Sequence, residues 1–330
     1  MKKLLIVLGV LLLLLAGLAG AAWYAFTQLP GSLIGNALAG LKIAELQQEG
    51  GGFLSEVKGD VQLERAGTIT QAVNGDKLTA GDQVRVGVGG SAVIVWSGYG
   101  RTVLDAGTDL RIDQAEGENK AGKLNVKMRV QAGRIWTRLQ KLLDVGSGFS
   151  VQSSNVVATV RGTSFGMSAQ NGAATVQVME SNVGMTMIGS ADEVLMKPSQ
   201  AMAMAQGVQR LPNPRSMTES ESSNPFVIEG NRVLAQNELM APVTLRRLLD
   251  ALEFPFYGMS KEDLVGFIAS LPDISELKMQ APEYFEEVSE SDLRIYQNLI
   301  DEARAWAREQ GMEQPATEIQ VETKTELNIN

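Results

Sequence analysis

The residue types that this chain lacks restrict its chemistry more than any motif does. Its 330 residues contain no Cys and no His. A nucleophilic site of the Ser-His-Asp or Cys-His type therefore cannot be built, and the common zinc sites, which need Cys or His ligands, are excluded as well. Carboxylate chemistry and a Ser-Lys pairing remain possible. We expect a non-enzymatic protein that uses no cofactor and no metal.

Two glycine-rich segments resemble sites of known chemistry. Residues 162–166 read G-T-S-F-G and match a nucleophile elbow centred on Ser164, but that elbow needs a strand-to-helix turn and a His base. Residues 87–92 match the dinucleotide pattern G-x-G-x-x-A, which needs a helix to follow. Because strand-like sequence follows both segments, we interpret them as turns within a sheet.

Three further groups of residues could bind a ligand. Arg161 follows the apolar run 156–160, which predicts a buried guanidinium that ties loops together or, less readily, binds a ligand carboxylate. A set of alternating methionines could bind a soft metal, although strand periodicity favours core packing. A set of acidic residues could bind a cation, although a solvated flank of a helix is the simpler interpretation. The two sets are Met179, Met185, Met187, Met196, Met202 and Met204, and Glu283, Glu286, Glu287, Glu290 and Asp292.

The charge of the chain is concentrated at one end. The net charge is −9, of which residues 243–330 carry −10 and the remainder +1. An acidic region repels polyanions. We therefore expect no nucleic-acid partner.

The first residues predict a membrane segment. Lys2 and Lys3 precede an uncharged run, and its most apolar part, residues 4–26, is long enough to cross a bilayer, which takes roughly 20 residues. Positive charge before the run places the N-terminus, residues 1–3, in the cytoplasm and the body outside. The alternative is a cleaved signal peptide with a small-residue site at residues 19–21. We favour a retained anchor.

Most of the remaining chain alternates between apolar and polar residues, as strands with one buried face do. Leu124, Val126, Met128 and Val130 are one such run, whereas residues 92–96 are apolar throughout and indicate a strand covered on both faces. Frequent Gly-Asp, Asn-Gly and Gly-Gly steps separate the runs. This pattern predicts a mainly β domain of short strands, either a solenoid or a sandwich.

The period changes to that of helices after residue 242. An apolar stripe from Leu293 to Ala307 predicts a long helix, and Ser260 with Asp263 predicts a capping box. The resulting division of the chain is an anchor or uncleaved signal (1–27), a linker (28–53), a β domain (54–206), a linker or extension (207–242), a helical region (243–312) and a polar tail (313–330).

Three passages of the β domain together resemble the FecR domain family. They are the Gly-Asp-Val of residues 59–61, the L-T-A-G-D-Q-V of residues 78–84 and the V-R-G-T-S-F of residues 160–165. Their order and spacing match the family over about residues 54–188. We assign a structural role to the motif positions Gly81, Asp82, Arg161, Gly162, Thr163 and Phe165.

The resemblance implies a FecR-like all-β domain in the periplasm, carried by a single-pass protein of the inner membrane. The best-known members relay a signal from an outer-membrane transporter to a sigma factor through a cytoplasmic anti-sigma domain, whereas three residues precede the predicted anchor here. We therefore expect a binding or scaffold module that recognises a protein or polymer of the cell envelope. The alternatives are a signal-transduction component without its own anti-sigma domain, and a glycan hydrolase with two carboxyl groups about 5–10 Å apart.

Overall fold

The structure, a computed structural model, describes residues 43–118, 123–140, 147–234, 240–256, 258–280, 282 and 290–312. The chain divides into two compact units, of which residues 44–247 form the larger. The smaller unit includes the chain from Leu248 onward. The predicted anchor and polar tail lie outside the described residues. Within them, no helix has both the length and the hydropathy to cross a membrane.

Short strands make up most of the larger unit, as the alternating pattern predicts. The described strands are β1 Gly52–Lys58, β2 Val61–Arg65, β3 Thr68–Gln71, β4 Lys77–Leu78, β5 Gln83–Val86, β6 Ser91–Trp96, β7 Gly100–Leu104, β8 Asp109–Glu118, β9 Lys123–Leu139, β10 Gly148–Ser153, β11 Val156–Val160, β12 Ser164–Gln170, β13 Ala173–Glu180, β14 Val183–Met187, β15 Glu193–Met196, β16 Gln200–Met204 and β17 Arg215–Ser216.

These strands form one hydrogen-bonded network that folds into two sheets sharing β9. Sheet A has the order β4-β1-β6-β7-β9-β12-β13-β16-β17. Sheet B has the order β3-β2-β5-β8-β9-β10-β11-β14-β15. Every pairing is antiparallel except that of β9 with β10.

The long strand β9 passes from one sheet to the other at Gly133. Residues 123–132 pair within sheet B and residues 133–139 within sheet A. Gly133 has a φ of +83°, and a Cβ atom there would lie 2.4 Å from the Cα atom of Thr108. Only glycine accepts this conformation and this close approach.

The core lies between the two sheets. Trp96 of sheet A meets Phe149 of sheet B edge to face, with 5.6 Å between ring centroids, and the apolar residues of β9 from Leu124 to Val130 are fully buried with them. The mainly β prediction is confirmed, and the arrangement is a sandwich rather than a solenoid.

Seven helices are described: α1 Ile43–Gln48, α2 Glu219–Ser222, α3 Pro225–Leu234, α4 Leu245–Ala251, α5 Lys261–Ser270, α6 Ile274–Gln280 and α7 Glu290–Glu309. Helix α3 covers the outer face of sheet A, where Val227 packs on Val93, Val103 and Trp136. This cover explains why β6 is apolar on both faces. The segment 207–242, predicted to be a linker or extension, thus carries β17, α2 and α3.

The smaller unit contains the predicted helical pattern. Ser260 and Asp263 form the expected capping box at the start of α5, with their backbone N–H groups donating to each other's side chains at 3.0–3.1 Å. Arg304 of α7 donates to the carbonyl groups of Ala269 and Leu271 at the end of α5. These bonds fasten the longest helix to its neighbour within this unit.

Candidate functional site

The motif residues Gly81 and Asp82 build a turn rather than a binding site. Gly81 has a φ of +95°, and the carboxylate of Asp82, 1% exposed, accepts hydrogen bonds from Thr79 N (2.8 Å) and from Arg65 Nε and Nη2 (2.9 and 2.7 Å). Because its oxygens are fully engaged, Asp82 holds β2 and the turn before β5 together.

In the V-R-G-T-S-F motif of residues 160–165, one residue differs from its prediction. Arg161 is exposed and, among the described residues, no hydrogen bond or ion pair is found for it. The expectation of a buried, loop-tying guanidinium is therefore wrong. The reason lies in strand alternation, since Val160, the last residue of β11, faces the core and directs the next side chain outward. Gly162 follows with a φ of +112°.

The rest of this motif enters the core. Phe165 is fully buried, and Thr163 is buried with no hydrogen-bond partner for its Oγ1 atom among the residues that the structure describes. Ser164, the centre of the elbow-like sequence, is buried at the start of β12 and accepts a hydrogen bond from Trp136 Nε1 (3.2 Å). A strand follows it instead of a helix, as the turn interpretation expects.

The other ligand candidates from the sequence are not brought together as a site. Met185, Met196, Met202 and Met204 are buried in the core between the sheets, which confirms the packing interpretation for them. The acidic residues 283–287 lie outside the described part of the chain. Within that part, no cluster of three or more carboxylates is arranged to hold a metal ion.

The structure instead shows a polar groove at one side of the sandwich, which we call the edge groove. It lies where β3 ends sheet B and β4 ends sheet A, and it has a volume of about 420 Å³. Its lining consists of Leu63, Arg65, Thr68, Thr70, Gln71, Asp76 and Arg246.

Two half-exposed arginines provide the charge of the edge groove. The side chain of Arg65 is 49% exposed and that of Arg246 is 62% exposed. Arg246 Nη1 donates to Asp76 Oδ1 (2.8 Å), while the other oxygen of Asp76 accepts from Val73 N (2.9 Å). Hydrogen bonds to Asp82 raise the pKa of Arg65. Both guanidinium groups therefore place positive charge beside the groove.

A second cluster, which we call the clamp, lies next to the groove and consists of Glu49, Phe53, Lys77 and Arg247. Two cations lie over the buried ring of Phe53, with Lys77 Nζ at 5.7 Å and Arg247 Cζ at 4.1 Å from its centroid. Both cations also bond the carboxylate of Glu49, which Arg247 Nη2 contacts at 2.6 Å. The contact of Arg247, whose side chain is only 9% exposed, is of the desolvated kind, which is stronger than an exposed cation–π contact.

The clamp fastens the segment that follows the predicted anchor. Arg247, nearly buried, also donates to the carbonyl groups of Leu46 in α1 (3.1 Å) and of Pro242. Burial alone would raise the pKa of Glu49, but the hydrogen bonds from Lys77 and Arg247 outweigh it and lower that pKa. The ion pair is thus fully formed at neutral pH.

Groove and clamp are joined through neighbouring residues in the chain. Asp76 and Arg246 belong to the groove, and Lys77 and Arg247 belong to the clamp. Sequence reasoning missed both clusters, because Arg246 is 170 residues from its partner Asp76 and Arg247 is 198 residues from its partner Glu49. The only local signal was the consecutive pair of arginines before Leu248.

Of the comparisons with known proteins, the match to a family model agrees with the motifs. Residues 82–184 match the model of the family described as FecR protein, whereas no curated protein matches the chain. Two crystal structures of a proposed anti-sigma factor from Parabacteroides distasonis ATCC 8503 are similar at 18% identity, with TM-scores of 0.33 and 0.29. The similarity covers 42% and 43% of this chain and 61% and 59% of that protein, so this chain spans about three-fifths of its length.

The matched segment runs from the Asp82 turn to the start of β14 and includes the whole Arg161–Phe165 motif. Residues 82–184 are therefore a FecR domain, as the sequence motifs predict.

Proposed function

We propose that this protein is a non-enzymatic binding module of the cell envelope, held in the inner membrane by residues 4–26 with its FecR sandwich in the periplasm. The apolar N-terminal run and the FecR domain support the location. The edge groove is the single observation that supports binding, because it is a concave surface with convergent hydrogen-bond donors.

The size and lining of the groove indicate what it binds. Its volume of about 420 Å³ lies within the range of ligand sites, roughly 300–1,000 Å³. Arg65 already bonds Asp82 through Nε and Nη2, so it contributes positive charge to the groove, to which Arg246 adds a second cation. This charge suits carboxylate groups, and Thr68, Thr70 and Gln71 add shorter polar contacts. The ligand is therefore an acidic group carried by an envelope protein or polymer.

A role in signal transduction is the second candidate, and the clamp favours it. Residues 46–49 lie between the predicted anchor and the sandwich, and Arg247 binds them beside the groove. A ligand that draws Arg246 away from Asp76 would also shift the backbone of Arg247, the next residue in the chain. Occupancy of the groove would then alter how firmly the membrane-proximal segment is held.

A glycan hydrolase is not supported by this site. Glycosidases use two carboxyl groups on either side of the bond they cleave. Asp76 is the one carboxylate among the residues that line the groove, and both of its oxygens accept hydrogen bonds from Arg246 and Val73.

Binding of the purified chain to an isolated envelope fraction, followed by co-sedimentation, tests the proposal. Arg246→Gln removes the most exposed groove cation and should reduce binding. Arg111→Gln is the control, since Arg111 is also partly exposed (43%) and is paired with a carboxylate, that of Asp113, on the outer face of sheet B. Equal binding by the wild type and both variants would show that the groove is not the site.

A further inference from the structure

The strand β3 forms an open edge of sheet B directly above the groove. It pairs only with β2 among the described residues, through a two-residue turn at residues 66–67 whose φ angles are positive. In such a hairpin the residues that flank the turn are hydrogen-bonded, and bonded pairs alternate along the ladder. Thr68 and Thr70 therefore bond to β2, whereas Ile69 and Gln71 direct their N–H and C=O groups away from the sheet.

The rest of the ladder agrees with this alternation. Ala72 N donates to Val61 O (2.8 Å), as the next bonded position requires. No described residue accepts from or donates to the outward backbone groups of Ile69 and Gln71, and all four residues of β3 are exposed. The edge thus offers two donors and two acceptors in a row.

This edge lacks the protection that the other sheet edges have. Strands β4 and β17 are only two residues long, and β15 carries Glu193 and is followed by Lys197 and Pro198. Short length, charge and proline are the usual means of preventing an edge from pairing. The sequence Thr-Ile-Thr-Gln of β3 contains neither charge nor proline.

We propose that β3 accepts an extended segment of a partner protein as an added strand, with acidic side chains of that segment directed into the edge groove. Every second side chain of an added strand would face the groove, where Arg65 and Arg246 would meet carboxylates. The alternate side chains would pass Ile69, which is 55% exposed on the other face of the edge. Backbone bonds would supply affinity, and the arginines would supply the preference for acidic segments.

This inference rests on the proposed function, since it names the partner of the same groove. The groove could bind a partner through its arginines or through the backbone of β3, and these two modes suit different partners. A polymer without a peptide backbone would use the arginines alone, whereas an added strand requires the outward N–H groups of β3.

The test uses the full chain and a fluorescently labelled seven-residue peptide of alternating valine and aspartate, with lysine replacing aspartate in the control peptide. We expect saturable binding of the acidic peptide at up to millimolar concentration, with backbone NMR shifts at Ile69 and Gln71. Ile69→Pro removes an outward N–H without removing a bond to β2, and it should weaken binding about tenfold. Ile69→Ala keeps the N–H and should weaken binding much less.

Several results would overturn the proposal. These are absence of binding by the acidic peptide, equal binding of the lysine peptide, or undiminished binding by both Ile69→Pro and the second variant Gln71→Pro. Dimerisation of the chain that Ile69→Pro abolishes would instead identify a second copy as the occupant. If Arg246→Gln reduces binding to the envelope fraction while Ile69→Pro does not, the proposed function stands and strand addition is wrong.

Discussion

Replacing Arg247 with alanine should release the segment that follows the predicted anchor. The substitution removes the cation over Phe53 at 4.1 Å and the hydrogen bonds to Leu46 O and Glu49. A desolvated cation–π contact contributes about 1–2 kcal/mol, and a hydrogen bond to a charged group contributes about 1.5–3 kcal/mol. Since these terms overlap and Glu49 is partly exposed, we expect a loss of about 2–4 kcal/mol in the local stability of the clamp.

Hydrogen exchange of the full chain measures this local loss directly. The amide of Leu54 donates to Asp76 O (2.9 Å) and that of Gly75 to Leu54 O (2.8 Å), so both report on the backbone beside the clamp. A loss of about 2–4 kcal/mol corresponds to exchange that is roughly 30 to 1,000 times faster. Amides of β12, on the far side of the shared strand β9, should exchange as in the wild type.

Arg247→Lys provides the control for charge. It keeps a cation near Phe53 but lacks the planar fork that bonds Glu49 and the Leu46 carbonyl together, so its effect should lie between wild type and alanine. Unchanged exchange at Leu54 and Gly75 in the alanine variant would refute the reasoning. Uniformly faster exchange throughout the sandwich would also refute it, because the effect would then be global.

Three further predictions concern the clamp and the V-R-G-T-S-F motif of residues 160–165. The pKa of Glu49 in the folded protein lies below its ordinary value of 4.5, so its ion pairs stabilise the fold above that pH and are lost as the pH falls through the folded pKa. In urea unfolding, the free energy of unfolding of Glu49→Gln should therefore fall less steeply with acid than that of the wild type. Parallel curves would contradict this. Gly162→Ala should destabilise the fold by about 1–3 kcal/mol because of the φ of +112°, and an unchanged urea midpoint would show that the turn can adopt another conformation. Thr163→Val should be neutral or stabilising by up to about 1 kcal/mol, since the buried Oγ1 has no partner in the described part of the chain. A clear loss of stability in the same assay would reveal a hydrogen bond to that hydroxyl.

The strands were predictable because each leaves a local signal. The alternation from Leu124 to Val130 follows from one buried face and needs no knowledge of the partner strand. The crossing of β9 at Gly133 was not predictable, because it depends on the backbone of Thr108, a residue 25 positions earlier. The choice between solenoid and sandwich likewise depends on distant pairings, such as β1 with β6.

Composition misled where tertiary packing decides the structure. Residues 207–242 were predicted to be a linker or extension, yet Val227 of α3 packs on Trp136 and the helix covers sheet A. Arg161 was expected inside because of its apolar neighbours, but the alternation of β11 turns it outward. The edge groove and the clamp are built from charged residues that each resemble ordinary solvated positions, so they become visible only when the chain is folded.

Photo-crosslinking in intact cells tests the central claim, binding at the edge groove, most directly. The photoreactive residue benzoylphenylalanine would replace Thr68 in the groove or, as a control, Val88, which is fully exposed in the turn between β5 and β6. We expect a discrete envelope adduct from position 68 that is absent from position 88 and is lost when Arg246→Gln is added. The same adducts from both positions, or an adduct at position 68 that persists without Arg246, would contradict it.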